Sequence, residues 1–391
     1  MKNVPLGDIA TLVRGVSFSK EEGSLLPLEG HLPVIRAGSI QESLLLREGQ
    51  IWVPADKIKS SQKIRIDDIV MCTSSGSSDL VGKCARSTED FDGSFGAFCA
   101  GIRADQEKAS PSYLYHFLCS PVFKNWTSAS SGANIKNIRV SELAEFQVPL
   151  PSLPEQKRIA AILDKADAIR RKRQQAIQLA DDFLSAQFLQ KFGDPKDSPF
   201  GSRSLKDVAL KVTDGAHFTP TYVDSGIPFL RVTDINRGEV DWSKVKYIPL
   251  EEHQELIKRC KPEKGDVLYS KNGTIGVPRL IDWDQEFSIF VSLCLIKPNP
   301  NYLRGRYLYS FLQTPFALKQ ATQKAKSATV TNLHLVEIKE IKLPVPSLAI
   351  QDEWIDFVDN FGCMRARLIE SLNTSNDAFN SLSQKAFSGM L

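Results

Sequence analysis

Two segments of the chain carry apolar residues at alternating steps of three and four, the spacing of a heptad seam along a long helix. The seam of the first segment, 153–194, passes through Ile159, Ile162, Ala166, Ile169, Arg173, Ala176, Ala180 and Phe183. The seam of the second segment, 348–391, passes through Trp354, Val358, Phe361, Arg365, Leu368, Leu372, Ser375, Phe379, Leu382 and Ala386. A stripe of this length needs a partner helix to cover it. We therefore predict that the two helices pair with each other in antiparallel orientation.

Outside these segments, short apolar or β-branched runs bounded by Gly, Pro, Ser or Asp predict strands. Such runs occupy 32–35, 64–71, 229–232 and 266–269, and helical patterns occupy 111–126 and 302–323. The pattern therefore indicates two strand-rich parts with one helix each. The first long helix is predicted to stop at Gly193, because a glycine followed closely by proline is a stop signal.

The chain also contains an internal repeat with an offset near 195 residues. Residues 135–153 and 330–348 are identical at seven of 19 positions. The segment 113–121 matches 307–315, in the same order along the chain. The period is too long for a solenoid unit, so the pattern indicates a tandem duplication of a whole domain.

The repeat divides the chain into four segments and predicts its fold class. Two similar mixed α/β domains, 1–152 and 195–347, alternate with two long helices, 153–194 and 348–391. We expect an α+β fold in which the helices form an antiparallel, coiled-coil-like pair and the whole has a pseudo-two-fold internal repeat. Charge favours this pairing, since the first helix has eight Lys and Arg against five Asp and Glu, and the second has three against six. The alternative is two solvated faces whose charges differ by chance.

Composition excludes several classes of protein. The 391 residues include 49 Lys and Arg against 46 Asp and Glu, a net charge of +3, which excludes a highly basic or acidic chain. The seven cysteines form no Cys-x-x-Cys pair and no zinc-ligand spacing, which is typical of reduced thiols. The first residues lack the apolar run of a signal peptide, and no stretch reaches the about 18 apolar residues of a membrane span. We expect a cytoplasmic protein with no membrane partner.

The motifs of DNA-modifying and nucleotide-using enzymes are missing from the sequence. The Asn/Asp-Pro-Pro-aromatic tetrad of amino methylation does not occur. The stretch 76–83 departs from a phosphate-binding loop, because its glycines are one residue too far apart and Cys84 replaces Ser or Thr. The Glu-x-Lys strings at 337–339 and 340–342 suit an alternating strand better than a nuclease metal motif. We expect no catalytic residues, no cofactor and no metal site.

Three classes of polar loop occur at matching places in the two repeats, and such loops suit contacts with phosphates and base edges. They are 14–17 with 214–219, 74–78 with 270–274, and 128–137 with 324–332. The candidate DNA-binding residues in and beside them are Arg14, Ser17, Arg36, Ser74, Ser75, Ser77, Ser78, Ser131, Lys136, Asp214, His217, Thr219, Arg231, Ser270, Lys271, Asn272, Thr274, Lys326, Thr329 and Thr331. Arg36 and Arg231 follow apolar strands and could bind either phosphate or a buried carboxylate. Asn137 and Asn332 could be structural, and surface loops without a ligand are the alternative for all three classes.

Four segments carry motifs that point to a known family. They are 148–159, which reads Val-Pro-Leu-Pro-Ser-Leu-Pro-Glu-Gln-Lys-Arg-Ile, 213–217, which reads Thr-Asp-Gly-Ala-His, 265–276 and 384–389. With them the chain resembles, over its whole length, the specificity (S) subunit of type I restriction–modification systems, the HsdS family. The resemblance implies two target-recognition domains, each reading one half of a bipartite, asymmetric target in double-stranded DNA. It also implies that the long helices act as a ruler and dock two adenine methyltransferase (M) subunits, that restriction/translocase (R) subunits join the complex, and that the chain is not an enzyme.

The two repeats differ from each other where the loops lie. The first repeat has Val13-Arg14-Gly15 in place of Thr213-Asp214-Gly215, and the Pro-Glu of 154–155 becomes Ala-Ile at 349–350. Different loops on a common fold are what an asymmetric target requires. Three other functions stay open at this point: a specificity subunit of a type IIB or IIG-like system, a restriction or modification enzyme in its own right, and a tandem-domain scaffold that binds no DNA.

Overall fold

The computed structural model describes residues 1–76, 80–129, 137–236, 239–324 and 332–391, and the chain divides into two compact units. Unit 1 comprises Met1–Gln174 with Glu370–Leu391, and unit 2 comprises Gln175–Ile369. Each unit has a mixed α/β body and includes part of both long helices. Within the described ranges, none of the helices combines the length and the apolar character that crossing a bilayer demands.

Unit 1 is built on small, mostly antiparallel sheets. Its strands are β1 Lys2–Pro5, β2 Ala10–Arg14, β3 His31–Ile35, β4 Ile51–Pro54, β5 Ile69–Cys72, β6 Cys84–Arg86, β7 Ser94–Phe95, β8 Cys99–Ala104 and β9 Gln147–Leu150. Its helices are α1 Pro111–Leu118, α2 Pro121–Ala129, α3 Val140–Glu145 and the first part of α4 Leu153–Phe192, with 3-10 turns at Leu6–Asp8, Lys20–Glu22, Ala37–Ser39, Ala55–Lys57 and Ser60–Gln62. The strand orders are β2-β8-β5-β6, β4-β3-β7 and β1-β9.

Unit 2 repeats this arrangement. Its strands are β10 Ser202–Ser204, β11 Ala209–Asp214, β12 Ile227–Leu230, β13 Lys246–Ile248, β14 Val267–Ser270, β15 Pro278–Leu280, β16 Ser288–Ile289, β17 Leu293–Pro298 and β18 Lys342–Pro344. Its helices are α5 Leu205–Val208, α6 Val232–Ile235, α7 Leu250–Arg259, α8 Gly305–Leu312, α9 Pro315–Lys324, α10 Leu335–Lys339 and the first part of α11 Leu348–Ser388. The strand orders β11-β17-β14-β15, β13-β12-β16 and β10-β18 match those of unit 1 strand for strand. The prediction of two similar mixed α/β domains is therefore confirmed.

Three of the predicted strands are wrong in part. The strand expected over 229–232 ends at Leu230, and Val232 begins helix α6. The strand expected over 64–71 begins only at Ile69, because the preceding residues form a turn in which Asp67 has φ 69° and the Arg65 N–H donates to the Asp68 carboxylate at 2.8 Å. The string 337–339 lies in helix α10 and not in a strand. There the His334 N–H donates to the Glu337 side chain at 2.8 Å, a capping contact that begins a helix.

The single helices predicted over 111–126 and 302–323 are each two helices. Pro121 begins α2 after α1 has ended, and Pro315 begins α9 after α8 has ended. A proline has no N–H to donate within a helix, so it favours the first position of a new helix over the interior of a long one. Both repeats carry a proline here, so both divide at the same place.

The long helices pair within each unit. In unit 1, Arg173 of α4 donates to the Ser371 carbonyl of α11 at 2.6 Å, and the Arg170 guanidinium lies 5.1 Å from the centre of the Phe379 ring. Residue numbers therefore fall along α4 as they rise along α11, and the antiparallel orientation is confirmed. The seam prediction is wrong at Ile169, which is 50% exposed.

In unit 2 the pairing follows the same sense. Arg365 of α11 donates two hydrogen bonds to the Asp181 carboxylate of α4 at 2.6 and 3.0 Å, and Phe183 stacks on Phe361 with ring centres 5.6 Å apart. Helix α4 ends at Phe192, where Gly193 has φ 76° and its N–H donates to the Leu189 carbonyl at 2.8 Å. A glycine in the left-handed region is a common helix stop, so the predicted end of this helix is confirmed.

Candidate nucleic-acid interface

The candidate residues are divided between described and undescribed parts of the chain. Seven of them lie outside the described residues: Ser77, Ser78, Ser131, Lys136, Lys326, Thr329 and Thr331. Among the others, Arg14, Ser17, Arg36, His217, Thr219 and Thr274 are exposed, Ser74, Ser75, Arg231 and Asn272 are half-buried, and Asp214, Ser270 and Lys271 are buried.

The second and third loop classes meet in both units. In unit 1, Ser74 pairs with Asn137 in a β-bridge, and the Ile138 N–H donates to the Thr73 carbonyl at 2.8 Å. In unit 2, Asn272 pairs with Asn332 in the same way. The backbone bridge gives the two asparagines at 137 and 332 a structural role; the side chain of Asn137 is exposed, whereas Oδ1 of Asn332 is buried. Loops that are more than 50 residues apart in sequence thus converge just beyond β5 and β14.

A buried carboxylate organises the site of unit 2. Asp214, the last residue of β11, is 3% exposed, and its Oδ1 lies 3.0 Å from both His217 Nε2 and Arg259 Nη2. Its Oδ2 lies 3.0 Å from Nζ of Lys271, which is 6% exposed. Burial acts to raise the pKa of Asp214, but hydrogen bonds from His217 and Lys271 outweigh it and hold that pKa below its ordinary value. Asp214 is therefore an ionised hub that orients three cationic or polar side chains.

The equivalent position of unit 1 carries opposite chemistry. Arg14 ends β2 as Asp214 ends β11, and Thr73 follows β5 as Lys271 follows β14. The Arg14 carbonyl accepts a hydrogen bond from Gln62 Nε2 at 2.9 Å, just as the Asp214 carbonyl accepts one from Arg259 Nη2 at 2.8 Å. The Arg14 side chain is exposed and has no partner within the described part of the chain. The same backbone geometry thus presents a free cation in one unit and a neutralised cluster in the other.

A glycine follows this position in both repeats for a steric reason. A Cβ added to Gly15 would overlap the Gly96 carbonyl, and one added to Gly215 would overlap the Ile289 carbonyl. The close approach of these two chain segments brings the end of β2 or β11 against the neighbouring sheet. The Gly after Arg14 or Asp214 therefore serves the backbone, and the residue before it is free to differ.

The two arginines that follow strands β3 and β12 differ in their partners. Arg231 donates from Nε and Nη2 to the Asp234 carboxylate at 3.1 and 3.0 Å. Of the two partners expected for this arginine, phosphate or a carboxylate, the structure therefore shows the carboxylate. Arg36 is exposed and has no side-chain partner among the described residues. It lines an open cavity of about 900 Å³ in unit 1 together with Ser17, Glu48 and Phe98. The phosphate alternative stays a prediction for Arg36.

Several polar candidates make local structural contacts. Ser270 is fully buried, and its Oγ accepts a hydrogen bond from the Val277 N–H at 2.8 Å. This contact closes the turn between β14 and β15. Ser17, Thr219 and Thr274 lie at the surface, where a ligand has direct access to their hydroxyls.

The sequence-based search missed two exposed aromatic residues and two polar residues. Phe98 is 68% exposed, although its carbonyl accepts hydrogen bonds from the N–H groups of Thr73 and Ser74 at 2.8 and 3.2 Å. Phe218, between two selected candidates, is 56% exposed. An exposed aromatic ring whose backbone is held in place can stack on a nucleic-acid base. In the sequence, an aromatic residue between a glycine-rich segment and a strand was the signal that could have identified both residues. Nothing in the local sequence marks Gln62 and Arg259 as site residues, because only the folded structure brings them to the ends of β2 and β11, where they donate to the carbonyls of Arg14 and Asp214.

The comparisons with known proteins agree with each other. The sequence matches the family described as Type I restriction modification DNA specificity domain over residues 1–179 and again over 198–374. It is similar to the type I restriction enzyme EcoKI specificity subunit of Escherichia coli (strain K12), with 29% identity over 414 residues, 99% of this chain and 88% of that protein. It is also similar to the StySPI specificity subunit of Salmonella potsdam, with 28% identity over 416 residues and the same coverage. The fold resembles a chain solved in work on complex assembly and conformational transition of the type I R-M system, at a TM-score of 0.50 and 18% identity, over 100% of this chain and 98% of that chain.

Proposed function

Since the chain belongs to the family of type I restriction modification DNA specificity subunits, we propose that it recognises a bipartite, asymmetric DNA sequence and reads one half with each unit. The family comprises the DNA-recognition subunits of these systems, so the chain is a non-catalytic component and not an enzyme. The observation that carries the proposal is the pair of equivalent positions at the ends of β2 and β11. One presents Arg14 to solvent, and the other buries Asp214 under cationic side chains.

Different chemistry at one backbone position suits two different half-sites. The exposed guanidinium of Arg14 can bind a phosphate or the O6 and N7 atoms of guanine through its forked donors. In unit 2 the carboxylate of Asp214 neutralises Lys271, and His217 and Arg259 reach the surface from this cluster with side chains 58% and 54% exposed. Arg259 keeps donors for a base edge or phosphate and His217 keeps its second ring nitrogen, Nδ1, for a base edge, while Asp214 sets the orientation of both. Unit 2 would therefore read its half-site with an oriented His and Arg, and unit 1 with Arg14 and Arg36.

The helices α4 and α11 would set the unread gap between the half-sites and dock two adenine methyltransferase subunits. Support comes from apolar side chains that stay exposed on them, including Ile169, Leu179 and Met364 at 50%, 60% and 47%. Exposed apolar residues on a charged helix are typical of a surface that another protein covers. Restriction/translocase subunits would join this core. We further propose that the complex works in the cytoplasm, a compartment that suits a chain whose seven cysteines are all free thiols.

Selection from a random duplex library tests the proposal. The purified chain, alone and with the methyltransferase subunits of its host, is incubated with the library, and the retained DNA is sequenced. We expect two short specified blocks separated by an unspecified gap of constant length. Arg36→Ala should relax one block and His217→Ala the other, with the remaining block unchanged in each case. Retained DNA without any sequence preference would contradict the proposal.

A further inference from the structure

Two cysteines of unit 1 lie in contact with each other. Cys84 on β6 and Cys119, the residue that follows α1, place their Sγ atoms 3.4 Å apart. Cys84 is buried and Cys119 is half-buried. Both line an open cavity of about 200 Å³, together with Tyr115 of α1 and Arg171 of α4. The pair is therefore held inside the domain but has access to solvent.

Regular structure holds each sulfur in place. Cys84 is in register with Met71 of the neighbouring strand β5, and it begins β6. The Cys119 N–H donates to the Tyr115 carbonyl at 3.0 Å, which caps the last turn of α1. A disulfide needs an S–S separation near 2.0 Å, so each sulfur has to move by less than about 1 Å to form one.

The surroundings favour an anionic sulfur at Cys119. The hydrogen bond from Cys84 lowers the pKa of Cys119, burial opposes this, and the contact with Tyr115 and the charge of Lys124 lower it further. The same hydrogen bond, together with burial, raises the pKa of Cys84. Cys119 is half-buried whereas Cys84 is buried, so a peroxide in the cavity reaches the Cys119 sulfur more readily. Since the thiolate is the reactive form of cysteine, this exposure assigns Cys119 as the nucleophile of the pair and Cys84 as the resolving thiol, in agreement with the lowered pKa of Cys119.

The second repeat shows that the pair does not belong to the common fold. The strand register places Pro278 at the position of Cys84, and the repeat alignment places Gln313 at that of Cys119. Unit 2 folds in the same way with neither thiol. Packing requirements shared by the two domains therefore do not account for the two adjacent cysteines.

We propose that Cys84 and Cys119 form a reversible dithiol–disulfide site whose oxidant is a hydroperoxide. Sγ of Cys119 attacks one oxygen of hydrogen peroxide, the O–O bond breaks, and the departing hydroxide takes up the proton that the thiol had released. Sγ of Cys84 then attacks the Cys119 sulfenic acid, an S–S bond forms as the S–O bond breaks, and a second water leaves with the Cys84 proton. Two electrons pass from the sulfurs to the peroxide, and two molecules of water are formed.

The site adjoins helix α4 through a chain of hydrogen bonds. The Cys119 N–H donates to the Tyr115 carbonyl at 3.0 Å, and Tyr115 Oη accepts a hydrogen bond from Arg171 Nη2 at 3.2 Å. Arg171 in turn donates to Asp167 at 2.6 Å, within the same helix. Formation of the disulfide moves Cys119 in the cavity that Tyr115 and Arg171 also line, so we expect oxidation to alter the contact between α1 and α4.

Peptide mapping tests the proposal on the full-length chain. Because Cys363 is exposed and can link two molecules, the protein carries Cys363→Ser. It is treated with hydrogen peroxide, alkylated and digested with trypsin without reduction. We expect peptide Cys84–Arg86 joined to peptide 109–124, with a mass two hydrogens below the sum of the two, and separation of the peptides by dithiothreitol. Peroxide-treated protein in which both peptides are recovered only in alkylated form would overturn the proposal.

Two single variants and an internal control make the assignment specific. In Cys84→Ser, Cys119 should stop at the sulfenic acid and be trapped by dimedone, whereas Cys119→Ser should give no dimedone adduct at Cys84. Cys72 and Cys99 are also neighbours, in register on β5 and β8, but burial raises the pKa of both, that of Cys99 to about 12. They should stay reduced. A disulfide between Cys72 and Cys99 instead of the proposed one would refute the assignment, and the mapping of the Cys363→Ser chain decides even if a second substitution prevents folding.

Discussion

Replacing Gln351 by methionine should destabilise unit 2 strongly, although the substitution nearly preserves side-chain volume. Gln351 lies in the first turn of α11 and is fully buried. Its Oε1 accepts a hydrogen bond from the Arg304 N–H at 2.8 Å, and its Nε2 donates to the carbonyls of Tyr302 and Pro346 at 2.8 and 3.0 Å. One side chain thus satisfies three backbone groups that join the helix to its domain.

The magnitude follows from those three groups. Methionine is close to glutamine in length and volume, so the cost of a cavity is small. It neither accepts from the Arg304 N–H nor donates to the two carbonyls, and each buried group left without a partner costs about 1–3 kcal/mol. Local relaxation and water entry reduce the sum, and we expect a loss of about 3–5 kcal/mol in the free energy of unfolding. This is a large part of the about 5–15 kcal/mol that stabilises a typical domain.

Urea unfolding followed by hydrogen exchange and mass spectrometry measures the effect and its position. Gln351→Met should lower the midpoint of unit 2 and speed exchange of the Arg304 amide. Gln156 makes the equivalent hydrogen bonds to Ser110, Lys108 and Pro151 in unit 1. Gln156→Met should therefore speed hydrogen exchange at the Ser110 amide and leave that of Arg304 unchanged. The matched control is Gln178→Met on the exposed face of α4. Its free energy of unfolding should lie within about 0.5 kcal/mol of that of the wild type. Equal midpoints for Gln351→Met and Gln178→Met would refute the reasoning.

Three further predictions concern the candidate interface. Lys271→Met leaves the Asp214 carboxylate buried with fewer partners and should cost about 3 kcal/mol of stability in urea unfolding, whereas the exposed Lys264→Met should change it by less than about 0.5 kcal/mol. Because the pKa of Asp214 is lower folded than unfolded, its contribution to stability is present above the unfolded pKa and is lost as pH falls through the folded pKa. Asp214→Asn should therefore flatten the acid limb of a plot of urea midpoint against pH, and an unchanged limb would contradict the assignment. Arg14→Ala should reduce the slope of log affinity against log salt by about one in DNA-binding anisotropy if Arg14 contacts a phosphate, and an unaltered slope would exclude that contact.

The long-range architecture is predictable from sequence because it depends on repeated, periodic signals. The heptad seams indicate two helices and their mutual pairing, and Arg365 and Phe183 on those seams do contact the opposite helix. The internal repeat indicates two similar domains, and the matching strand orders follow from it. Ile169 shows the limit of the pattern. It fits the heptad spacing, yet it is exposed, and its neighbour Arg170 makes the contact with Phe379 of α11.

The contacts of the candidate site are harder to predict because they depend on sheet topology. Asp214 and Lys271 are 57 residues apart, and they meet only because β11 and β14 both pair with β17. Nothing in the local sequence around Lys271 distinguishes a buried ion-pair partner from a loop lysine that contacts phosphate. By contrast, the pairing of Arg231 with Asp234 is a local contact over three residues, so that distinction was within reach of the sequence.

The division between shared and differing residues is what one fold needs in order to serve the two recognition tasks that we propose. Gln156 and Gln351 make the same hydrogen bonds, and Tyr113 and Tyr307 each donate from Oη to a proline carbonyl at 2.6 and 3.1 Å. The glutamine contacts attach each long helix to its domain, and the tyrosine contacts join α1 or α8 to the strand that precedes that helix. A change in any of these buried contacts would cost stability in that unit. The residue at the end of β2 or β11 differs in its side-chain partners, since Arg14 is exposed whereas Asp214 contacts Lys271, and only the backbone contacts at this position are the same in both units. Under the function that we propose, an arginine and an aspartate can therefore occupy this position in the two units, together with the partners that each requires, while the attachment of each long helix to its own domain stays the same.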